Sequence, residues 1–139
     1  MANDIQITVT ERMGRKCASS GSKWEPKMGY SRAVRSGNTI AVTGTVGINA
    51  DGKYSETLEA QSRRSLEIIK AAIEALGGKM EHVIRTRIYV VDVTQWEQVA
   101  AAHGQIFGEI RPATTIVEVA KLIDEDALVE IEADAIIPV

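Results

Sequence analysis

The sequence predicts a single α/β domain of the α+β kind, a mixed six-stranded sheet with two helices on one face. Three observations predict it. Residues 127–137 alternate between small apolar and polar side chains, as a half-buried strand does. Residues 56–76 instead repeat apolar side chains at three- and four-residue steps, which is the period of an amphipathic helix. A second segment with helical spacing follows residue 94, and short alternating segments surround both helices.

Strand-like alternation predicts six strands. The second and third are joined by Ser36, Gly37 and Asn38, a plausible tight turn because glycine and asparagine tolerate positive φ. Residues 11–29 lack periodicity and contain three glycines and a proline, so we expect an added loop there. Trp24 within it is expected to pack on the core or to close over a pocket. The predicted strands span residues 5–9, 30–35, 39–43, 82–91, 113–120 and 127–137.

Two helices follow from the 3.6-residue period. Ser55 is a candidate N-cap for the first, Gly77 and Gly78 form its C-terminal stop, and charged residues including Arg64 are expected on its solvent side. A capping box from Thr94 to Glu97 opens the second helix, and Gly108 ends it. The first apolar stripe comprises Leu58, Ser62, Ser65, Ile69, Ala72, Ile73 and Leu76, and the second comprises Trp96, Val99, His103, Ile106 and Phe107.

The charged side chains of two strands share one face. In the last strand the residues opposite the apolar face are acidic: Glu130, Glu132 and Asp134. In the strand over residues 82–91 they include two arginines, Arg85 and Arg87. The apolar face of that strand holds Ile84, Thr86, Ile88 and Val90. If these strands are neighbours, opposite charges meet across the ladder. The charged face is then either solvated or part of an interface between subunits.

Composition excludes several classes of protein. The chain has 139 residues, 45% of them hydrophobic, and a net charge of −3, which gives no attraction to nucleic acid or to anionic membranes. The N-terminal residues show no signal-peptide pattern, and we expect no membrane span because no apolar run is long enough to cross a bilayer. One cysteine, Cys17, cannot form an internal disulfide, so we expect a reducing, cytoplasmic location. No cluster has metal-ligand spacing, and we expect no metal and no cofactor.

Several segments, in order, resemble the Rid (YjgF-type) family of enamine/imine deaminases. They are Gly29-Tyr30, VTGTVG at 42–47, RTRIYVVDVTQW at 85–96, and PATTIVEVAKL followed by LVEIEADAI. The resemblance implies a fold similar to chorismate mutase and a homotrimer whose sheets line an inner barrel, with clefts between subunits. It also implies cofactor-independent hydrolysis of reactive enamines and imines to keto acids and ammonia.

The resemblance also implies site residues. Tyr30 and Glu130 match catalytic positions, the glutamate holding or activating the attacking water. Thr43, Gly44, Thr114 and Ile116 match positions that contact the small-molecule substrate. Two matches fail: Thr114 stands where the family has an arginine that binds the substrate carboxylate, and Ala100 stands where it has an asparagine.

Other side chains are candidates for the missing polar groups. Arg111 precedes Thr114 by three residues, and Arg32 shares a strand face with Tyr30, so either one is a substitute cation. His103, one helical turn after Ala100, is either an acid/base near neutral pH or a hydrogen-bonded core residue. For Glu130 the alternatives are a general base and a member of the charge ladder with Arg85 and Arg87.

Three functions follow from these matches and departures. The first is an enamine/imine hydrolase with an altered substrate range. The second is a non-catalytic trimer that binds a small metabolite or acts as a chaperone, motivated by Thr114 and Ala100. The third is an endoribonuclease, which the acidic balance and the 4% aromatic content disfavour.

Overall fold

One mostly antiparallel sheet of seven strands runs through residues 4–139, the part of the chain that the computed structural model describes. The strands are β1 (Thr8–Arg12), β2 (Arg15–Ser19), β3 (Ala33–Ser36), β4 (Thr39–Val46), β5 (Val83–Val90), β6 (Ala113–Glu118) and β7 (Val129–Ile136). Their order across the sheet is β1-β2-β3-β4-β7-β5-β6, and β5 and β6 are the parallel pair. The predicted fold class is confirmed, with seven described strands where six were predicted.

The N-terminal region accounts for the additional strand. Residues 11–29, predicted as a loop, contain β2 and the short helix α1 (Trp24–Met28). β1 and β2 form a hairpin whose turn holds Met13 and Gly14 at φ 53° and 73°. The predicted first strand, residues 5–9, overlaps β1. β2 is the additional strand, and because its buried residues Cys17 and Ala18 are adjacent, no alternating pattern marks it in the sequence.

The two predicted longer helices are α2 (Leu58–Ala75) and α3 (Trp96–Phe107). The N-cap of α2 is Thr57 instead of Ser55, and its hydroxyl accepts a hydrogen bond from Ala60 N. The predicted capping box at Thr94 is wrong. Asp92 accepts from the Thr94 N–H and hydroxyl at 3.1 and 2.6 Å, and it caps a 3₁₀ turn over Val93–Gln95 that precedes α3.

All seven residues predicted for the apolar stripe of α2 are buried. In α3, Val99 and Phe107 are buried, but Trp96 is 53% exposed at the first residue of the helix. Arg64 is also not on the solvent side as predicted. It is 8% exposed, and its Nη1 lies 2.7 Å from Asp4 Oδ1 and 3.6 Å from Glu67 Oε1.

The core lies between the helices and one face of the sheet. α2 approaches β4 so closely that a Cβ at Gly47 would overlap the Gln61 carbonyl oxygen, which only glycine avoids. A register shift between Val83 and Arg85 leaves Ile84 49% exposed, contrary to the apolar face predicted for this strand. The buried sheet residues of β7 and β5 are Val129, Ile131, Ala133, Ala135, Val83, Thr86, Ile88 and Val90.

The opposite face carries the charge pairing expected from the sequence. β5 and β7 are antiparallel neighbours, and Arg87 Nη1 lies 3.3 Å from Asp134 Oδ2 and 3.7 Å from Glu132 Oε1. The Tyr89 hydroxyl donates to Glu132 Oε1 at 2.7 Å. Glu130, opposite Tyr89, is not bonded to this network in the described part of the chain.

Candidate functional site

A cavity of about 960 Å³ opens beside the end of β4 and the start of β7. Tyr30, Gly44 and Glu130, three of the predicted site residues, line it together. Arg32 and Trp24 also line it, and Trp24 is half-buried with Lys23 Nζ 5.1 Å and Lys27 Nζ 5.6 Å from its ring centre. Thr43 borders the cluster through its backbone N–H, which donates to the Arg32 carbonyl at 2.9 Å.

Glu130 has the environment of a general base. Its side chain is half-buried, and within residues 4–139 it makes no hydrogen bond or ion pair. A Cβ at Gly44 would overlap Glu130 Oε2, so glycine at that position makes room for the carboxylate. Burial raises the pKa of the Glu130 carboxyl, the Arg32 guanidinium works against that rise, and Glu132 adds to it.

Arg32 supplies a buried positive charge to the cavity wall. The residue is 6% exposed, and Nη1 donates to the Gly44 carbonyl at 2.9 Å and to Thr45 Oγ1 at 3.3 Å. Nη2 lies 3.5 Å from the Tyr30 hydroxyl and 3.8 Å from Glu25 Oε2. The guanidinium therefore connects the tyrosine, the glycine beside Glu130 and a buried counter-ion.

Glu25 lies on α1, in the segment predicted to be a loop. Its carboxylate accepts hydrogen bonds from Ser20 N at 3.2 Å, Ser20 Oγ at 3.0 Å and Ser22 N at 3.4 Å. The residue is 6% exposed. These contacts fix α1, with Trp24 at its first turn, against the strand that carries Arg32.

The opposite wall of the cavity is acidic. The Tyr54 hydroxyl donates to Asp124 Oδ2 at 2.6 Å, and burial, followed by this bond, raises the pKa of the Tyr54 phenol. The whole lining has five acidic and three basic side chains, which are Asp4, Asp124, Glu125, Asp126, Glu130, Lys23, Arg32 and Arg64. The cavity thus favours neutral or cationic molecules over anions.

A second polar cluster lies at the other edge of the sheet. The Thr86 hydroxyl lies 2.9 Å from His103 Nε2 and 2.8 Å from the Thr114 hydroxyl, which is 3.3 Å from the Pro112 carbonyl oxygen. Thr86 is fully buried, His103 is half-buried against the Phe107 ring, and Thr114 is exposed. Burial lowers the pKa of the His103 imidazole.

The predicted site residues therefore divide into two groups within one chain. Thr114 and Thr86 are register partners on the helix-covered face, whereas Glu130 alternates with buried Val129 and Ile131 and lies on the other face. β7 and β6 are also separated by β5. One chain does not bring Glu130 and Thr114 into one pocket.

The remaining candidates lie near Thr114. Ile116 packs partly buried against the core, on the same face of β6. Arg111 is exposed, with φ 58°, in the turn after α3, where its N–H donates to the Phe107 carbonyl at 2.8 Å. Ala100 is exposed on α3.

Sequence reasoning missed two contributors. Glu25 lies in an aperiodic segment, and nothing in its surroundings marks it as buried. The sequence places Thr86 on the apolar face of its strand. A hydroxyl on an otherwise apolar face is the signal that indicates a buried polar contact. Among residues 4–139 no group of three or more His, Cys, Asp or Glu side chains is placed to hold a metal ion. None of the helices in this range has the length and apolarity needed to cross a bilayer.

Comparison with known proteins identifies relatives. The family profile described as endoribonuclease L-PSP matches residues 21–137. A 2-iminobutanoate/2-iminopropanoate deaminase of Escherichia coli is 35% identical over 111 residues, covering 77% of this chain and 86% of the relative. A RutC family protein of Pyrococcus horikoshii is 36% identical over 110 residues, covering 76% and 85%.

A solved structure gives the same result. A Mycobacterium tuberculosis protein, described as a member of the highly conserved YjgF/YER057c/UK114 family, superposes with a TM-score of 0.83 and 46% sequence identity. The match covers 88% of this chain and 99% of the other.

Proposed function

The chain belongs to the endoribonuclease L-PSP family, also called YjgF or RutC, and from this premise we propose that it hydrolyses reactive imines and enamines to carbonyl compounds and ammonia. Relatives about 35% identical are named imine deaminases. The observation that carries the proposal is Glu130, a half-buried carboxylate without a bonded partner in the described chain, facing a cavity beside Gly44. Burial raises the pKa of Glu130, which makes the carboxylate a stronger proton acceptor than an exposed glutamate.

The proposed chemistry needs only water and protein side chains. Glu130 holds a water molecule, takes its proton as the oxygen adds to the C=N carbon, and passes that proton to the substrate nitrogen, which returns Glu130 to the carboxylate form. Tyr30 lines the same cavity with its hydroxyl near Arg32, where it can bond the substrate nitrogen or the new hydroxyl. The carbinolamine then loses ammonia to leave the carbonyl product.

We further propose that the working site lies between copies of the chain in a homotrimer. Glu130 and Thr114 lie on opposite sheet faces, so a pocket containing both draws them from different protomers. The open edge of β6 and the charged face with Arg87 and Asp134 are available for such contacts. The family resemblance supports a trimeric arrangement.

The purified protein is expected to accelerate imine hydrolysis. The assay generates an imine with an amino-acid oxidase and follows ammonia release from it, with and without the protein. Light scattering on the same sample is expected to give the mass of three chains. An ammonia release rate that does not depend on protein concentration, across imines with and without a carboxylate, would contradict the proposal.

A metabolite-binding protein without catalysis is the second candidate, favoured by the exposed Ala100 and by Thr114. In that case the rate of ammonia release stays at the uncatalysed value. The unfolding midpoint of the protein rises with ligand concentration, since a ligand bound only by the folded state stabilises it. An RNA-cleaving role has less support, because five acidic side chains against three basic ones repel phosphate.

Thr114→Arg is expected to lower KM for imino acids. A guanidinium there forms a charge-assisted bidentate pair with the substrate carboxylate, worth about 1.5–3 kcal/mol and hence roughly 10- to 100-fold in KM. Imines without a carboxylate serve as the control, and their KM is expected to stay within a few fold. Equal KM values for imino acids in both proteins would show that position 114 does not face the substrate.

A further inference from the structure

We propose that His103, Thr86 and Thr114 form a proton relay that ends at the exposed Thr114 hydroxyl and delivers a proton to the leaving nitrogen. The inference rests on the proposed imine hydrolysis and deepens it. It assigns a proton donor to the part of the site where a carboxylate-binding arginine is absent. It also gives the substrate class, imines or iminium ions whose turnover does not depend on a carboxylate.

Continuity of the chain is the first argument. Each oxygen lies within hydrogen-bond distance of the next partner, 2.9 Å from His103 Nε2 to Thr86 Oγ1 and 2.8 Å from there to Thr114 Oγ1. Thr86 is fully buried, and these two contacts are its only side-chain hydrogen bonds within residues 4–139. A buried hydroxyl held between an imidazole and a second hydroxyl has no water to exchange with, so a proton that enters at one end leaves at the other.

The protonation state of His103 sets the direction of the hydroxyl protons. When the imidazole is charged, Nε2 donates to Thr86, Thr86 donates to Thr114, and the Thr114 proton points to the Pro112 carbonyl or to a ligand. When Nε2 is unprotonated, it accepts from Thr86, and the order reverses. The exposed hydroxyl thus changes from donor to acceptor as a buried group titrates.

His103 is suited to supply the proton. The Nε2 atom of His103 faces Thr86 on β5, with Thr114 beyond it on β6. The face of the imidazole ring packs against Phe107, one turn further along α3. Burial is the cause that lowers the pKa of His103, and no carboxylate or cation among the described residues contributes. An imidazolium in this position gives up its proton readily, and the half-exposed ring can regain one from solvent.

The step balances as a general-acid cleavage. The Thr114 hydroxyl proton moves to the carbinolamine nitrogen while Thr114 takes the proton of Thr86, and Thr86 takes that of His103 Nε2. The C–N bond breaks with its electron pair on nitrogen, and ammonia leaves. The electron pair of the carbinolamine O–H bond forms the carbonyl double bond. The proton released from that bond passes to the Glu130 carboxylate of the other protomer. His103 ends neutral and Glu130 ends protonated, and solvent resets both.

The test interrupts the relay at its buried middle. Thr86→Val keeps the shape of the side chain and removes the hydroxyl, whereas Thr86→Ser keeps the hydroxyl. For the wild type we expect a bell-shaped pH profile, limited in acid by Glu130 and in base by His103. Thr86→Val is expected to lose roughly 10²-fold in kcat together with the alkaline limb, and Thr86→Ser is expected to keep both. An unchanged profile in Thr86→Val overturns the relay.

A second measurement does not depend on activity. In NMR titrations the Thr114 methyl signal is expected to follow the His103 midpoint in the wild type and in Thr86→Ser, and to lose that inflection in Thr86→Val. Thr115→Val, one residue on and facing the opposite side of β6, is the control and should leave it in place. A Thr114 signal that never follows His103 overturns the relay. Coupling without imine turnover supports the proton path and counts against the proposed hydrolysis alone.

Discussion

Glu130→Gln is expected to lower kcat for imine hydrolysis by about 10²- to 10⁴-fold, the usual contribution of a general base. Glutamine fills the same space beside Gly44, so the cavity keeps its shape while the proton acceptor is lost. KM is expected to change little, because the substrate meets an amide of the same size. Steady-state kinetics at saturating imine, at several pH values, measure the effect.

The same substitution is expected to raise the unfolding midpoint at neutral pH. The folded-state pKa of Glu130 is raised, mainly by burial, so the folded chain binds this proton more tightly than the unfolded chain. The resulting stability is present below the ordinary glutamate pKa and is lost as pH rises through the raised value. Glutamine removes the cost of burying the charge, so the gain appears near pH 7 and disappears in acid.

Glu132→Gln provides the matched control for this prediction. Glu132 lies two residues further along the same strand face, where its carboxylate accepts from Tyr89 and lies near Arg87. This variant is expected to keep kcat within a few fold and to gain no stability at neutral pH. Equal losses of activity in the two variants would show that Glu130 contributes only to the charge of the face.

The core of the fold was predictable because its pattern is local. In α2 a stripe of buried side chains must recur every three to four residues, and in β7 Val129 and Ile131 must alternate with polar residues. The pairing of Arg87 with Asp134 followed from the same alternation once two strands were assumed to be neighbours. These features depend on period alone.

Features fixed by polar contacts between irregular segments were not predictable. Glu25 is buried because Arg32 and Ser20 satisfy its carboxylate, and no periodic pattern relates these nearby residues to one another. A charged residue in a glycine-containing segment otherwise indicates an exposed loop. β2 escaped detection for a different reason, since its two buried residues, Cys17 and Ala18, are adjacent and leave no alternating signature.

The candidate site was predictable in part. Tyr30, Gly44 and Glu130 line one cavity, as the resemblance implies for a shared cleft. The separation of Thr114 from them depends on strand order, which puts β5 between β6 and β7, and local sequence does not encode that order. Thr86 required knowledge of the packing of α3, because only the contact with His103 distinguishes its hydroxyl from a tolerated core threonine.

Arg32→Met is expected to destabilise the fold by about 3–5 kcal/mol, the usual cost of removing one partner from a buried ion pair. The side chains of Arg32 and Glu25 are each 7% exposed, so methionine leaves a carboxylate with little access to water. The Gly44 carbonyl and Thr45 also lose the Nη1 donor. Urea unfolding at neutral pH, with the midpoint and slope fitted together, measures the loss.

A double-mutant cycle separates the charge effect from the loss of packing. Adding Glu25→Gln to Arg32→Met removes the uncompensated carboxylate. The double variant is therefore expected to lose less unfolding free energy than the two single variants together, with a coupling free energy of about 0.5–3 kcal/mol. Arg87→Met is the exposed control, because Arg87 is 43% exposed beside Glu132 and is expected to contribute about 0–1 kcal/mol. If Arg32→Met costs no more than Arg87→Met, the guanidinium does not hold α1 against the sheet, and Trp24 and Tyr30 have another means of support at the cavity.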